Sequence, residues 1–264
     1  MEANITGELG SQAYAMHVHQ VRTNTLDSAG VEKKLPNIKI IWHDHYGKSE
    51  MLDKRKSFVL RIISIFVFGI VAVNQKLAAW SLSNLFCKKV IYLANFTVSA
   101  DETSFIKTKL KGTAGKQIVC LANLRPQKNH VLLLEVAEKC KVNHLDWSFH
   151  LVGKDFQDYY SKTIKNLIIE KGLQENVFLY GSCDDVASIL QQCQIGILTS
   201  DSEGLPVALL EYGFQELAVI STAVGEIPAV IDDKKSGLLV LPKDALSFSD
   251  ALTELIENDT LRIS

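Results

Sequence analysis

The sequence predicts an α/β protein made of two domains with parallel sheets. Short apolar runs alternate along the chain with longer segments of helical periodicity, such as residues 129–140 and 155–172. The short runs are continuously apolar, which is typical of strands covered by helices on both faces. One polar stretch without strand character, residues 97–116, interrupts this alternation. We therefore predict two α/β layers connected by a linker.

The first half of the chain is predicted to contain four strands, at residues 15–21, 38–42, 69–74 and 90–95. The most hydrophobic stretch, Phe58–Asn74, is short for a membrane span and is interrupted by Arg61 and Gly69. We interpret it as a buried helix followed by a buried strand. The basic residues 54–56 just before it leave open a face that rests on a membrane.

The second half is predicted to contain six strands, at residues 117–123, 147–153, 177–181, 195–200, 217–222 and 237–241. We place the linker at residues 101–116, between an N-terminal domain at 1–100 and a C-terminal domain at 117–264. The first domain has fewer strands than the second, and the chain stops inside a helical segment. The sequence therefore indicates a partial N-terminal domain and truncated C-terminal helices.

Composition narrows the classes of function. The 264 residues carry a net charge of −2, so the chain lacks the global positive field that binds nucleic acid. Five cysteines, an odd number without CxxC spacing, are typical of free thiols in a reducing compartment. The opening residues lack the apolar core of a secretion signal. We expect a cytoplasmic location, with contact at the inner face of the membrane left open.

The first motif is "LANLRPQKNH", residues 121–130. A predicted strand ends near Asn123, Arg125 and Lys128 follow on a proline-containing turn, and Asn129 suits the N-cap of a helix. Ligands of open α/β sheets bind at the carboxyl ends of strands, and two cations beside a helix N-terminus suit a diphosphate. Two solvated loop cations would also fit this motif taken alone.

The second motif is "SDSEGLPVALLEYG", residues 200–213. It follows a predicted strand, and we place Pro206 in the first turn of a helix, where its missing N–H costs nothing. Free N–H groups at residues 204–207 would face an anion, and the E-x7-E pair of Glu203 and Glu211 flanks them. Carboxylates accept hydrogen bonds from hydroxyls, so this order matches a sugar nucleotide, which has hydroxyls at both ends of a diphosphate. An exposed helix with two ordinary glutamates is the alternative.

A third motif, "HDHYG", starts at His43 directly after a predicted strand. An HxH pair can begin a metal site, but no further ligands follow at later strand ends, so we expect no metal. A polar His43 or His45 that hydrogen-bonds a substrate is the favoured interpretation. Asp184 and Asp185 are predicted to cap the next helix. The GxGxxG, GxSxG and P-loop motifs are absent.

With these motifs in this order, the chain resembles the retaining glycosyltransferases of family 4, which have the GT-B fold of two Rossmann-like domains. The similarity covers residues 38–256 and is strongest over residues 118–240. It is carried by "LANLRPQKNH", "FHLVGKDF", "VFLYGSCDDVASILQQCQIGILTSDSEGLPVALLEYG" and "AVGEIPAVIDDKKSGLLV". The order and spacing of these pieces make the resemblance specific.

The resemblance implies roles for matching positions. Arg125 and Lys128 would bind the donor diphosphate, Glu211 would hold the ribose hydroxyls, and Glu203 would contact the donor sugar. In the other domain, His43 is the favoured residue to face that sugar. Backbone and loop positions complete the implied donor site: Gly204 and Leu205 beside the sugar, Gly153 and Gly181 around the base.

The implied reaction moves a sugar from a UDP- or GDP-sugar to an acceptor hydroxyl with retained configuration. The acceptor would be lipid-linked or a glycan, in the synthesis of cell-envelope polysaccharide or glycoconjugates. Stabilising the departing diphosphate is an electrostatic task that two cations and a helix N-terminus could perform without a metal or other cofactor. The sequence shows no dedicated general base, which agrees with proposals that the leaving phosphate takes the acceptor proton.

Departures from the family pattern leave other functions open. The strand and Gly-rich loop that normally open the first domain are not visible, and Glu216 and Ala218 stand where the family commonly has Gly and Pro. A nucleotide-sugar-binding module without catalysis is one alternative. A GT-B sugar-nucleotide epimerase, or a phosphorylase, is the other.

Overall fold

The structure is a computed structural model that describes residues 15–19, 39–46, 49–96 and 107–263. The chain divides into two compact units, residues 1–94 and 95–264. This division falls a few residues before the linker that the sequence predicts at residues 101–116.

The first unit contains a four-stranded sheet in the order β1-β2-β3-β4. Its strands are β1 (Ala15–His19), β2 (Lys39–Asp44), β3 (Gly69–Ala72) and β4 (Val90–Tyr92). β2, β3 and β4 run parallel as predicted, but β1 pairs antiparallel with β2. The prediction of a parallel sheet is wrong at this edge, because an apolar run indicates burial of both faces and carries no information on strand direction.

The first unit also contains two helices, α1 (Phe58–Ile63) and α2 (Gln75–Asn84). Short 3-10 turns at Ser49–Lys54 and Ser64–Phe66 flank α1. The side chain of Asn74 caps α2 by accepting a hydrogen bond from the Leu77 N–H at 2.8 Å. Trp42, Ile70 and Leu85 belong to the core that packs against these elements.

The helix α1 corrects a second prediction. We expected a buried helix within Phe58–Asn74, but Phe58 is 76% exposed and Phe66 is 73% exposed. Only Leu60 of α1 is buried. Apolar character alone did not distinguish the face that packs from the face that does not, because nearly every residue of this stretch is apolar. The predicted strand that follows is confirmed as β3.

The second unit is built on six parallel strands in the order β10-β9-β8-β5-β6-β7. They are β5 (Gln117–Leu121), β6 (Ser148–Val152), β7 (Val177–Gly181), β8 (Ile195–Leu198), β9 (Ala218–Thr222) and β10 (Leu238–Val240). All six predicted strands are confirmed. From β5 the chain builds outward through β6 and β7, and then through β8, β9 and β10 on the other side. The switch point therefore lies between β5 and β8, where open α/β sheets bind ligands.

Seven helices of the second unit lie within the described residues. They are α3 (His130–Asn143), α4 (Tyr159–Glu170), α5 (Val186–Leu190), α6 (Val207–Phe214), α7 (Ile227–Val230), α8 (Ala245–Glu257) and α9 (Asp259–Ile263). The predicted N-cap of α3 is confirmed, since the Asn129 side chain accepts from the Leu132 N–H at 3.2 Å. Leu133, Phe149 and Phe248 are fully buried in the core between sheet and helices.

Residues 107–116 of the predicted linker are bonded to the second unit. The carboxylate of Asp185 accepts hydrogen bonds from the backbone N–H of Lys107 and from the N–H and hydroxyl of Thr108. Asp185 does stand at the N-cap position of α5, but its side chain makes no capping hydrogen bond. The capping prediction is therefore wrong: a segment 77 residues earlier in the chain competes for the same carboxylate oxygens.

Several titratable side chains are buried in the core of the second unit. Burial raises the pKa of Cys120, Cys140 and Cys193 to about 12, so these free thiols stay protonated. Burial also lowers the pKa of His130 and His150 to about 4, which keeps both imidazoles neutral at neutral pH. Within the part of the chain that the structure describes, no helix is both long and apolar enough to cross a membrane.

Candidate functional site

A cavity of about 320 Å³ lies at the carboxyl ends of β5, β6 and β7, beside the start of α6. This is the edge at which the sequence predicted a ligand. Its lining includes polar and glycine positions from four separate segments: Asn123, Lys128, Gly153, Ser182, Cys183 and Glu211. A smaller cavity of about 270 Å³ shares Gly153 and is also lined by Gly181.

Gly153 brings the ends of three strands together. Its φ of +156° and its position both demand glycine, because a Cβ would lie 2.2 Å from the carbonyl oxygen of Ala122. The Gly153 N–H donates to the carbonyl of Gly181 at 2.8 Å. The predicted loop positions Gly153 and Gly181 therefore shape this edge through their backbone.

Lys128 and Glu203, which the sequence assigned to one ligand, are in direct contact. Lys128 Nζ lies 2.5 Å from Glu203 Oε1, and the Ser200 hydroxyl donates to the same oxygen at 2.6 Å. Glu203 is 6% exposed, so its charge is balanced chiefly by Lys128. Lys128 is the sole cation among the described residues that line the larger cavity.

Hydrogen bonds between the β5–α3 and β8–α6 loops fix this pair. The Thr199 hydroxyl lies 3.1 Å from the carbonyl oxygens of Lys128 and Asn129. Asp201 accepts from the Asn129 side-chain amide at 2.9 Å and donates its own N–H to the carbonyl of Gln127 at 2.8 Å. The sequence analysis missed Thr199 and Asp201, because these bonds join segments about seventy residues apart.

Gly225, which the sequence analysis also missed, packs closely against the backbone of the loop that carries Glu203. Gly225 has φ +61°, and a Cβ there would lie 2.2 Å from the carbonyl oxygen of Glu203. The next residue, Glu226, donates its N–H to the carbonyl of Gly204 at 3.0 Å. A signal was present, because "AVGEIP" is one of the segments that carry the family resemblance.

The helix α6 presents the second glutamate. Glu211 is half-buried in the cavity wall, and burial raises the pKa of its carboxyl group. Its side chain has no hydrogen bond or ion pair to any residue that the structure describes. α6 begins at Val207, so Pro206 is the N-cap residue, one position before the predicted first turn, and its side chain caps no N–H. The Leu209 N–H donates to the carbonyl of Pro206 at 3.1 Å, so among the described residues the Val207 and Ala208 N–H groups are the ones at the start of α6 without a capping acceptor.

Tyr212 anchors α6 to the sheet at the switch point. β5 and β8 pair only at two positions, and beyond them the Tyr212 hydroxyl accepts from the Leu121 N–H at 2.7 Å. The same hydroxyl lies 3.3 Å from the carbonyl oxygen of Ile197. Gly196 leaves room for the ring, since a Cβ there would lie 2.5 Å from it. Tyr212 thereby sets the position of its neighbour Glu211.

Arg125 takes a different place from the one that the sequence suggested. Its guanidinium lies over the ring of Phe156, 4.7 Å from the ring centroid, and it is not among the residues that line the larger cavity. From the same loop, Asn123 lines that cavity instead. The diphosphate role of Arg125 stays a prediction, as do the sugar-side roles of Gly204 and Leu205.

His43 belongs to the first unit, on β2. Asp44, between the two histidines, is fully buried and forms two hydrogen bonds with Arg55 at 2.7 and 3.0 Å. The rings of His43 and His45 lie side by side with centroids 4.1 Å apart. Among the described residues, no group of three or more His, Cys, Asp or Glu side chains could hold a metal ion. The role of His43 toward a substrate stays a prediction.

The geometry of the second unit suits an anionic ligand with hydroxyl groups. One edge of the sheet combines a cation, a helix start without a side-chain cap, and a half-buried carboxylate that has no partner among the described residues. The family described as glycosyl transferases group 1 matches residues 101–263, which is more than half of the chain. The chain belongs to this family. The predicted transferase is therefore confirmed at the level of the family.

Individual relatives agree with this membership. An Escherichia coli UDP-Gal:α-D-GlcNAc-diphosphoundecaprenol α-1,3-galactosyltransferase is 23% identical over 265 residues, which cover 94% of this chain and 67% of that protein. A Staphylococcus aureus poly(ribitol-phosphate) α-N-acetylglucosaminyltransferase is 21% identical over 220 residues, 83% of this chain and 43% of that protein. The chain thus spans only part of the length of the glycosyl transferases it matches.

Solved structures show the fold. Two structures of S. aureus TarM have a TM-score of 0.70 at 21–22% identity, over 88% of this chain and 46% of TarM. Anabaena Alr3699/HepE has a TM-score of 0.69 at 17% identity, over 85% of this chain and 64% of that chain. The C-terminal domain of a group 1 glycosyl transferase from Francisella tularensis has a TM-score of 0.52 at 26% identity, over 57% of this chain and 80% of that domain. The predicted α/β fold of GT-B type is confirmed.

Proposed function

We propose that this glycosyl transferase binds a nucleoside-diphosphate sugar in the larger cavity and transfers the sugar to an acceptor hydroxyl with retention. The observation that carries the proposal is Glu211, a half-buried carboxylate without a partner in the described chain, beside Lys128 and the uncapped start of α6. A ribose supplies two hydroxyl groups that can donate hydrogen bonds to such a carboxylate. A diphosphate supplies the charge that the cation and the helix start can bind.

The proposed pose assigns each polar group one part of the donor. Glu211 holds the ribose hydroxyls, and Lys128 with the first turn of α6 holds the diphosphate. The backbone at Gly153 and Gly181 encloses the base. Glu203 contacts the sugar, assisted by the backbone of Gly204 and Leu205, and Arg125 contributes a second positive charge to the diphosphate.

The proposed chemistry is chiefly electrostatic. As the bond between sugar and diphosphate breaks, negative charge grows on the leaving phosphate, and Lys128 together with the α6 N–H groups stabilises it. The leaving phosphate accepts the proton of the acceptor hydroxyl as the new glycosidic bond forms on the same face. We propose that this proceeds without a metal, and that the imidazole of His43 hydrogen-bonds a sugar substrate.

The names of the relatives support a narrower substrate class. The E. coli relative is named for galactosyl transfer to a GlcNAc-diphosphoundecaprenol, and the S. aureus relative for N-acetylglucosaminyl transfer to poly(ribitol-phosphate). Similar structures from S. aureus, Anabaena and pneumococcus were determined with UDP. We propose a UDP-sugar donor in preference to a GDP-sugar, and an acceptor in cell-envelope glycan synthesis.

A nucleotide panel tests this proposal. UDP, UDP-sugars, GDP-sugars and ADP-sugars are added to the full chain, and the melting temperature is measured. UDP compounds should raise it, and Glu211→Ala should remove most of the shift because it removes both ribose acceptors. Since burial raises the Glu211 pKa, the shift should weaken as the pH falls and the carboxylate is protonated. The matched control is Glu254→Ala, an exposed glutamate on α8.

Each outcome of the panel separates the functions. No shift with any nucleotide, or an undiminished shift in Glu211→Ala, contradicts the proposed donor site. Donor binding without transfer to any acceptor would favour the nucleotide-sugar-binding module. Conversion of the UDP-sugar into its epimer would favour the epimerase.

We also propose that the first unit rests on an anionic membrane surface through α1. Residues 39–94 contain nine Lys and Arg against three Asp and Glu, although the whole chain has a net charge of −2. The exposed rings around α1 carry cations beside them: Arg61 lies 4.7 Å from the Phe86 centroid, and Lys89 lies 4.2 Å from that of Phe68. Exposed apolar side chains interleaved with cations are typical of surfaces that bind anionic lipids.

Vesicle sedimentation tests the membrane proposal. The full chain should bind phosphatidylcholine vesicles that contain phosphatidylglycerol, and salt should weaken the binding. Phe58→Ser with Phe66→Ser should reduce it by at least about tenfold, because each ring contributes roughly 1.5–3 kcal/mol when buried in lipid. Leu246→Ser, an exposed apolar residue of the second unit, is the control. Equal binding of neutral and anionic vesicles, or of parent and double variant, would contradict the proposal.

A further inference from the structure

An aromatic ring and two cations lie together beside the larger cavity. The Arg125 guanidinium lies 4.7 Å from the centroid of the Phe156 ring, and Lys154 Nζ lies 5.2 Å from the same centroid. Arg125 belongs to the β5–α3 loop, whereas Lys154 and Phe156 belong to the β6–α4 loop. We call these three residues the rim cluster. Cation–ring contacts of this kind hold a flexible side chain in place.

The backbone fixes the rim cluster next to the cavity. The Leu124 N–H donates to the carbonyl of Lys154 at 3.0 Å, and the Lys154 N–H donates to Asn123 Oδ1 at 2.7 Å. Asn123, which accepts the second of these bonds, and Gly153, the residue before Lys154, both line the larger cavity. The cluster and the cavity are therefore parts of one edge of one sheet.

The charges of the rim cluster are not balanced. Neither Arg125 nor Lys154 has a carboxylate partner among the described residues. The nearest acidic residue in sequence, Asp155, is engaged by Lys165 Nζ at 2.6 Å and by the Gln157 N–H at 2.7 Å. Lys128, by contrast, is paired with Glu203. Two like charges beside one ring repel each other, and an anion that binds both would convert this repulsion into attraction.

We infer that the rim cluster is a phosphate-binding subsite, with Phe156 as a positioning residue for the two cations. A planar guanidinium kept on a ring face presents its N–H groups to phosphate oxygens in a defined orientation. The inference deepens the proposed function and rests on it. The phosphate can come from the donor diphosphate or from a phosphate-bearing acceptor, since the chemistry of recognition is the same.

Three variants test the subsite. Phe156→Leu removes the ring but keeps an apolar side chain, Phe156→Tyr keeps the ring, and Lys154→Gln removes one charge. The matched control is Lys162→Gln, an exposed cation at the start of α4. The melting temperature of each variant confirms that the chain is folded.

Affinity for inorganic diphosphate is the main measurement, made by calorimetric titration of the full chain. Phe156→Leu and Lys154→Gln should each weaken it by about three- to tenfold, while Phe156→Tyr and the Lys162 control leave it unchanged. Affinity for uridine should not change in any variant, because uridine has no phosphate. Unchanged diphosphate affinity in both folded variants would overturn the subsite, as would an equal loss in Phe156→Tyr.

Two further titrations distinguish the sources of the phosphate. If the donor supplies it, UDP affinity falls together with diphosphate affinity. If an acceptor supplies it, UDP affinity is retained, whereas phosphorylated polyol competes less well against diphosphate. The failure of the proposed function looks different: nucleotides would then fail to bind the parent chain, while diphosphate binding would still depend on Phe156 and Lys154.

Discussion

Replacing Lys128 with methionine should lower glycosyl transfer by roughly 100-fold or more and weaken UDP binding. Lys128 is the cation that the described cavity lining provides, and in the proposed pose it faces the phosphate on which charge grows. Its loss also leaves the buried Glu203 without a counter-ion, at a cost of about 3 kcal/mol. We expect a lower melting temperature together with the loss of transfer. Steady-state transfer from a UDP-sugar and UDP titration measure the two effects.

Two comparisons separate charge from folding in this experiment. Lys128→Met combined with Glu203→Gln removes both members of the pair, so it should recover stability but not UDP affinity. Lys139→Met replaces an exposed lysine of α3 and should leave both quantities unchanged. Transfer by Lys128→Met at more than about a tenth of the parental rate would refute the assigned role.

Gly225→Ala should disable the site although Gly225 does not line the cavity. The added Cβ would lie 2.2 Å from the Glu203 carbonyl oxygen and 2.7 Å from that of Gly204, and alanine is strained at φ +61°. Because both close atoms are backbone, the loop that carries Glu203 must move. We expect a loss of about 2–4 kcal/mol in the free energy of unfolding and a drop in transfer.

The chain offers a matched control for this substitution. Gly213 lies within α6, two residues from Glu211, and an added Cβ would meet nothing within 4 Å. Gly213→Ala should therefore stabilise α6 slightly, by up to about 1 kcal/mol, and leave donor binding intact. Denaturant unfolding and UDP titration of both variants measure the contrast. A Gly225→Ala variant as stable and active as Gly213→Ala would show that the loop adapts without cost.

Patterns local in sequence predicted most of the fold. Runs rich in apolar residues located the strands of the described residues, because burial leaves a direct compositional trace. The edge shared by Lys128 and Glu211 was also predictable, since carboxyl ends of parallel strands meet on one side. The direction of β1 and the exposed face of α1 were not predictable, because each depends on which neighbour packs there and not on the apolar run itself.

Side-chain partners over long separations escaped sequence reasoning. Asp185 looked like a helix cap, but it binds the backbone of Thr108. The contact of the Arg125 guanidinium with the Phe156 ring was not foreseen, although the predicted diphosphate role of Arg125 stays a prediction. In both cases the residue type fitted several roles, and the choice depended on a loop that the fold brings near. Thr199 and Asp201 were missed for a related reason, because their hydrogen bonds join loops that are distant in sequence.

Tyr212 and its neighbour Glu211 have a consequence for changing the donor range of this enzyme by engineering. Tyr212 bridges β5 and β8, and Glu211 lines the cavity. A shift of α6 would therefore break the hydrogen bond between the Tyr212 hydroxyl and the Leu121 N–H. In the proposed pose, the ribose therefore binds beside a helix that Tyr212 ties to the sheet. Substitutions that adapt the pocket to another base should be placed at Cys183, in the loop after β7, and at Val186, the first residue of α5, because both line the cavity.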